Sequence, residues 1–299
     1  MKKILFIFNP RSGKGQIKNK LLDILDVFTK AGYQVLVHVT QRQSDAMEVA
    51  ASQGKGADMI VCSGGDGTLN EVISGMMKLH RIPLLGYIPA GSTNDFASSL
   101  KLPKNMVDAA RNVVEGMPLP IDIGAFCEER NFVYIAAFGA FTEVSYLTPQ
   151  DKKNVLGHQA YMIEGVKSLT SIKSYRMQVE SDEAVLEGEF IFGMITNTRS
   201  VGGFKGLVSK EVELDDGVFE ALFITTPRTP MDFSNIINYL FLKEEPNEYV
   251  HRFRTARIRI RSAEPVDWVL DGEFGGSHTE VDIVNLPRRI QIMGASTKK

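Results

Sequence analysis

The stretch Gly64-Gly65-Asp66-Gly67-Thr68-Leu69-Asn70-Glu71 directly follows the apolar run Met59-Ile60-Val61-Cys62. Its glycines remove Cβ atoms where a backbone must turn sharply or approach a ligand. Backbone N–H groups at such a strand-to-helix junction can meet phosphate. Asp66 places a carboxylate among them. A carboxylate beside a phosphate cradle is repulsive unless a cation such as Mg²⁺ lies between. The stretch therefore reads as a metal–nucleotide site. Its structural alternative is a tight turn capped by Thr68 or Asp66, but three glycines around one aspartate exceed what a cap needs.

Four further motifs carry polar chemistry. Asn9-Pro10-Arg11-Ser12-Gly13-Lys14-Gly15 suits phosphate by its glycines, hydroxyl and lysine, yet it lacks Walker A spacing, and an ordinary strand–helix turn explains it as well. Pro89-Ala90-Gly91-Ser92-Thr93-Asn94-Asp95 offers hydroxyls and an amide that can bond phosphate or ribose, or cap a helix at Asp95. Asp271-Gly272-Glu273 is either a hairpin turn or the carrier of a base, Glu273, aimed at a crevice between domains. Leu214-Asp215-Asp216-Gly217 is an acidic turn, bland or metal-binding. The alternation Arg252-Phe253-Arg254 and Arg257-Ile258-Arg259-Ile260-Arg261 has the period of a strand, with either a solvated basic face or one that meets anionic lipid. The histidines His38, His80, His158, His251 and His278 show no metal-ligand spacing, and no nucleophile elbow is present.

The elements that position these motifs follow from periodicity. Strands are predicted at Lys3–Phe8, Gln34–Thr40, Met59–Cys62 and Leu84–Ile88. Helices are predicted at Gln16–Ala31, Asp45–Gln53, Thr68–Leu79, Asp95–Leu100 and Met106–Glu115. Asp45 and Glu48 stand at capping-box spacing. This alternation implies a mainly parallel sheet covered on both faces, with ligands at the strand carboxyl ends. Asn9–Gly13, Thr40, Gly64–Glu71 and Pro89–Thr93 all fall there. Beyond Ile121-Asp122-Ile123-Gly124 short β runs dominate: Phe132–Ala137, Arg176–Ser181, Val185–Thr196, Val218–Thr225 and Ala256–Ser262. They predict a largely antiparallel second domain. Helical insertions are expected at Gln159–Lys173 and Met231–Leu242, and a strand-like tail at Val281–Met293.

Composition narrows the class. The chain is 43% hydrophobic and 23% charged with net charge −2, which fits a globular protein and gives no electrostatic case for nucleic acid. Cys62 and Cys127 read as small core residues of a reducing compartment. The N-terminal apolar run is too short for a signal peptide, and no stretch reaches a membrane span. A cytosolic protein is expected.

Together, Asn9-Pro10-x-Ser12-Gly13, Gly64–Glu71, Pro89-x-Gly91-Ser92-Thr93-Asn94-Asp95 and Asp271-Gly272-Glu273 resemble the diacylglycerol kinase catalytic-domain family, in order and over nearly the whole chain. The Gly-Gly-Asp-Gly element is shared with NAD kinases and phosphofructokinases; the Asp-Gly-Glu element after Leu-Asp-Asp-Gly narrows the choice to lipid kinases. The resemblance implies a doubly wound parallel α/β domain over 1–124 and 284–299, and a β-sandwich lipid domain over 125–283. It implies ATP contacts at Asn9, Pro10, Arg11, Ser12, Gly13, Thr40, Gly65, Asp66, Gly67, Thr68, Leu69, Asn70, Glu71 and Ser92. Ser92 stands where the family usually has threonine, and Arg11 fills a variable slot. Glu273 matches the family's general base and Asp66 the Mg²⁺–ATP aspartate. Asp122 matches an acid supporting the magnesium and water network, and Asp216 a structural magnesium site with the Glu213 and Val218 carbonyls.

The implied reaction is phosphoryl transfer from ATP to the hydroxyl of diacylglycerol, yielding phosphatidic acid, at the inner face of a membrane by a homodimer. Phe138, Phe141, Tyr161 and Met162 are candidates for an acyl pocket. The rivals are a kinase of a sphingoid base or phosphatidylglycerol, an NAD kinase, and a non-catalytic nucleotide sensor, which would need no Glu273.

Overall fold

The structure is a computed structural model that describes residues 1–13, 15–92, 94–128, 130–140, 172–198, 212–242 and 247–295. Lys14, Thr93, Phe141, His158, Tyr161, Met162 and all but the last two residues of the helix expected at Gln159–Lys173 lie outside the described residues.

The N-terminal part alternates as the periodicity predicts: β1 (Lys2–Phe8), α1 (Ile17–Lys30), β2 (Tyr33–Val39), α2 (Asp45–Gln53), β3 (Met59–Gly64), α3 (Asp66–Met76), β4 (Leu84–Pro89), α4 (Asp95–Ser99) and α5 (Met106–Glu115). Strands β2, β1, β3 and β4 pair in parallel in that order. Both faces of this sheet are covered, because alternate residues of its buried strands are apolar in both directions. Ile4, Phe6 and Phe8 pack with Ile24 and Phe28 of α1 and Ala109 and Val113 of α5. Leu5 and Ile7 pack with Val49 of α2 and Val72 and Ile73 of α3. Cys62 is fully buried in that second cluster.

The capping box expected at the start of α2 does not form. Asp45 instead accepts hydrogen bonds from the Gln41 N–H (2.8 Å) and interacts with His38 Nε2 (3.1 Å), while Glu48 pairs with Arg42. The cap comes from across the core: the Glu71 carboxylate of α3 accepts from the N–H groups of Ser44 (2.8 Å) and Ala46 (3.2 Å).

The remainder is β5 (Met117–Phe126), β6 (Arg130–Phe132), β7 (Ile135–Gly139), β8 (Tyr175–Ser181), β9 (Val185–Thr196), β10 (Phe219–Thr225), α6 (Pro230–Leu242), β11 (Val250–Thr255), β12 (Arg257–Leu270) and β13 (Glu273–Gly294). Antiparallel pairing dominates here. The core is aromatic: Phe138 lies between Trp268, Tyr175 and Phe223. Each such buried ring is worth roughly 1.5–3 kcal/mol, and the full burial of Phe138 places it in the core, not in a lipid pocket.

Three expected strands differ in extent. The run Phe132–Ala137 splits into β6 and β7, because the N–H groups of Val133, Tyr134 and Ile135 donate to the Asp271 carboxylate. The run at Ala256–Ser262 continues as β12 to Leu270, with a register shift between Arg261 and Val266 around Pro265. The tail extends back to Glu273, so β13 pairs with β12 and β5 and reaches β4 at Ile292. Hydrogen bonding thus runs without a break from β2 to β11. No helix among the described residues is long and apolar enough to cross a membrane.

Candidate functional site

Three loops leave the carboxyl ends of β1, β3 and β4, and their backbones interlock. The Asn9 N–H donates to the Ser63 carbonyl (2.9 Å) and the Ala90 N–H to the Gly64 carbonyl (2.8 Å). Thr40, at the end of β2, donates its N–H to the Phe8 carbonyl (3.0 Å). A Cβ on Gly13 would sit 2.4 Å from the Ala90 carbonyl oxygen, at a φ of +56°. A Cβ on Gly91 would sit 2.6 Å from the Gly65 Cα. Glycine at these positions is what lets the loops nest. Asn94 closes the third loop, accepting from the Gly91 N–H (2.9 Å) and donating to the Gly91 carbonyl (2.7 Å). The Asn9 amide reaches Thr68 Oγ1 at 3.4 Å. Ser92 is exposed on the same loop as Gly91.

Above these loops α3 begins at Asp66 with no side-chain cap at Gly65. The N–H groups of a first helical turn lack intrahelical partners and form an anion site. Leu69 does not face that site with its side chain, which is buried in the core. Asn70 donates to Asp271 and to the Asn131 carbonyl (3.2 Å), so it ties α3 to the β12–β13 hairpin.

Asp66 is the electrostatic centre. Its Oδ2 accepts the Asp95 N–H at 3.2 Å; its Oδ1 is buried with no hydrogen-bond partner. Burial, with the nearby charges of Asp95 and Asp271, pushes its pKa up to about 6. A buried carboxylate oxygen left without a donor has the chemistry to fit a cation. Ser63, whose carbonyl holds Asn9, also keeps a buried unpartnered hydroxyl.

Asp271 occupies the hairpin turn at a φ of +49° and is almost fully buried. It accepts from the N–H groups of Val133 (2.7 Å), Tyr134 (2.9 Å) and Ile135 (3.0 Å). Burial raises its pKa against the pull of these donors. Thus Asp271-Gly272 is a turn, and the turn aims Glu273. Glu273 Oε1 lies 3.3 Å from where a Cβ on Gly67 would stand, against the first turn of α3. Its Oε2 is 3.5 Å from the Gln43 amide nitrogen. The residue is exposed overall, but this inward turn of its carboxylate, with the charge of Glu71 nearby, raises its pKa; Arg130 opposes the shift.

Asp122 and Asp216 form a separate arrangement. The buried Asp122 carboxylate accepts from the N–H groups of Arg288 (2.7 Å) and Gly217 (2.7 Å) and from the Asn285 amide (3.3 Å). Asp216 is bonded by Arg254 and by the Val218 N–H at 3.2 Å. Arg254 also reaches Glu220 Oε1 at 3.6 Å, and burial pushes Glu220 up to about 7. Here N–H donors and a guanidinium engage the carboxylates, so a metal at Asp216 would have to displace Arg254. Among the described residues, no group of three or more His, Cys, Asp or Glu is arranged to hold one.

The second half of the basic alternation is ion-paired across the sheet. Arg257 pairs with Asp282, Arg259 with Asp282 (3.4 Å), and Arg261 with Glu280 (3.1 Å) and Glu180 (3.6 Å). The arginines at 257, 259 and 261 thus stand ion-paired on the strand surface. Sequence patterning missed Gln43, Asp95 and Tyr134. Only Asp95 carried a signal, as the last residue of a polar loop.

A family model described as the diacylglycerol kinase catalytic domain matches residues 3–126. A diacylglycerol kinase from Bacillus subtilis (strain 168) is 35% identical over 296 residues, covering 98% of this chain and 96% of that protein. One from Staphylococcus saprophyticus subsp. saprophyticus is 34% identical over 293 residues, covering 97% and 95%. The crystal structure of a diacylglycerol kinase from Bacillus anthracis str. Sterne covers 98% of this chain and 97% of its own, with TM-score 0.77 and 22% identity, a likeness of fold.

Proposed function

The chain belongs to the diacylglycerol kinase family and is a lipid kinase, and from that premise we propose that it moves the γ-phosphoryl group of ATP directly to the free hydroxyl of diacylglycerol, giving phosphatidic acid. The observation that carries this is the Glu273 carboxylate lying 3.3 Å from the Gly67 Cβ position, beside the anion-binding turn of α3.

In this proposal the free N–H groups at the start of α3, with Asn9–Gly13, Thr40 and Ser92, hold ATP. Mg²⁺, held through Asp66, would neutralise charge on the phosphate oxygens. Glu273 orients the lipid hydroxyl and takes its proton. Its raised pKa suits that task, since a base works best with a pKa near the operating pH. Asn70 and Asp271 fix the hairpin that carries it. Glu71 acts through the cap of α2.

We assign residues 1–124 and 284–299 to a doubly wound nucleotide lobe, and 125–283 to a β-sandwich lipid lobe. The enzyme works as a homodimer, peripheral to the cytoplasmic face of an anionic membrane. A structural Mg²⁺ at Asp216 with the Glu213 and Val218 carbonyls, supported by Asp122, requires Arg254 to leave; no chemical step depends on it.

Labelled ATP incubated with vesicles of diacylglycerol, and separately with sphingosine, phosphatidylglycerol or NAD, tests the proposal. Transfer to diacylglycerol is expected, and transfer to another acceptor alone overturns the substrate. Glu273→Gln should lower kcat about 10²–10⁴-fold, the usual range for such a base, with nucleotide affinity retained. Wild-type turnover in that variant would remove Glu273 from the role.

A further inference from the structure

Tyr134 lies in the break between β6 and β7, at the junction of the two acidic elements. Its backbone is fixed on both sides. The N–H donates to Asp271 Oδ1 (2.9 Å), and the carbonyl accepts from Thr196 Oγ1 (2.6 Å) and the Asn197 N–H (3.0 Å). Its ring is buried in the same core cluster as Leu69 and Val72 of α3. Its hydroxyl behaves differently. It donates no hydrogen bond among the described residues, and it is not one of the enclosed unpartnered polar atoms. It comes within 4.0 Å of where a Gly272 Cβ would be, and Gly272 is exposed. The phenol therefore opens toward the tip that carries Glu273.

The charges acting on this phenol are those of Asp66, Asp271, Asp95 and Glu273, all negative. Burial first, and these charges after it, raise the phenol and keep the hydroxyl protonated at every physiological pH. A neutral O–H fixed beside the Asp271–Gly272 turn that carries Glu273 is a preorganised donor with no donor role among the described residues. In phosphoryl transfer, charge spreads over the equatorial oxygens of the moving group, and fixed donors in a water-poor site stabilise it.

We propose that the Tyr134 hydroxyl is a catalytic donor that hydrogen-bonds the transferring phosphoryl group. The inference rests on the kinase reading above but is not tied to the acceptor, because the donor acts on the phosphoryl group and not on the lipid. Tyr134 gives up no proton; it holds a phosphoryl oxygen while the bond to the leaving ADP oxygen breaks and the bond to the acceptor oxygen forms.

The full-length Tyr134→Phe variant keeps the ring and removes only the hydroxyl. Two rates are measured: transfer to diacylglycerol vesicles, and lipid-independent hydrolysis of ATP. Both are expected to fall about 10- to 100-fold, with KM for ATP within about twofold and thermal unfolding unchanged. Because the phenol does not titrate, the loss should be uniform from pH 6 to 9. Wild-type rates, or a shifted pH profile with the plateau rate retained, would overturn the proposal; the second outcome would make Tyr134 a residue that tunes Asp66 or Glu273. If wild-type protein hydrolyses ATP but phosphorylates no lipid, the acceptor assignment fails while the hydrolysis rates still decide Tyr134. Wild-type protein that transfers the γ-phosphoryl group to neither lipid nor water would overturn both.

Discussion

Asp66 opens the helix that follows β3, Asp122 lies within β5, and the chain treats these two aspartates in opposite ways. Asp122 meets three donors, and both its oxygens are engaged. Asp66 meets the Asp95 N–H on one oxygen and nothing on the other. Both lie in low-dielectric surroundings, where an unmatched carboxylate is costly. The fold satisfies Asp122 and leaves Asp66 in deficit, near two further carboxylates. A satisfied acid holds structure together; an unsatisfied one waits for a ligand. The same contrast separates Asp271, gripped by three backbone N–H groups, from Glu273 two positions later.

The most severe test of this contrast is Asp66→Asn. We expect kinase activity to fall about 10³-fold, as for loss of a central electrostatic group, together with metal–nucleotide affinity. Stability should move the other way. The folded-state pKa of Asp66 is about 6 against an ordinary 3.8. The folded protein therefore holds that proton more tightly than the unfolded chain, and stability is lost as pH rises from about 4 to about 6. The asparagine variant should escape that loss, gaining up to about 2–3 kcal/mol at pH 8 and nothing at pH 4. Urea unfolding at the two pH values measures this; a variant less stable at pH 8 would break the contrast.

Asp122→Asn should show the reverse pattern. An amide nitrogen would then face an N–H donor in a buried site, costing about 2–4 kcal/mol. Activity per folded molecule should hold, and a selective loss of kcat without unfolding would instead place Asp122 in the chemistry. The smallest effect is expected at Asp216→Asn. Its partner Arg254 is half exposed, so the pair is worth no more than about 1 kcal/mol. A larger loss of stability that added Mg²⁺ modulates in the wild type alone would restore a metal to that turn.

The parts of the fold that rest on local rules were legible in sequence. The buried strands β1, β3 and β4, the glycines after them and the amphipathic α1 each announce themselves within a few residues, and their loops converge because parallel sheets bring strand ends together. Interactions between distant segments were not legible. The acid that caps α2 is Glu71, not the correctly spaced Glu48, since the core brings α3 alongside. The expected strand at Phe132–Ala137 breaks because its N–H groups find Asp271. No short window contains both partners. Gln43 beside Glu273 is of the same kind, a contact set by the register of a hairpin and not by residue type.

Strand β13 begins at Glu273 and ends, after 22 residues, paired with β5 beside β4. One continuous strand, with a register shift against β5 between Leu286 and Ile290, thus joins the proposed base to the sheet under the proposed nucleotide loops, like a ruler laid across two workbenches. An extended backbone has little length left to gain, so on the proposed reading the spacing from acceptor to donor is built in before either substrate arrives. On that reading the site needs no large scissoring motion to assemble, and a chain severed within that strand should part its two proposed reactive ends.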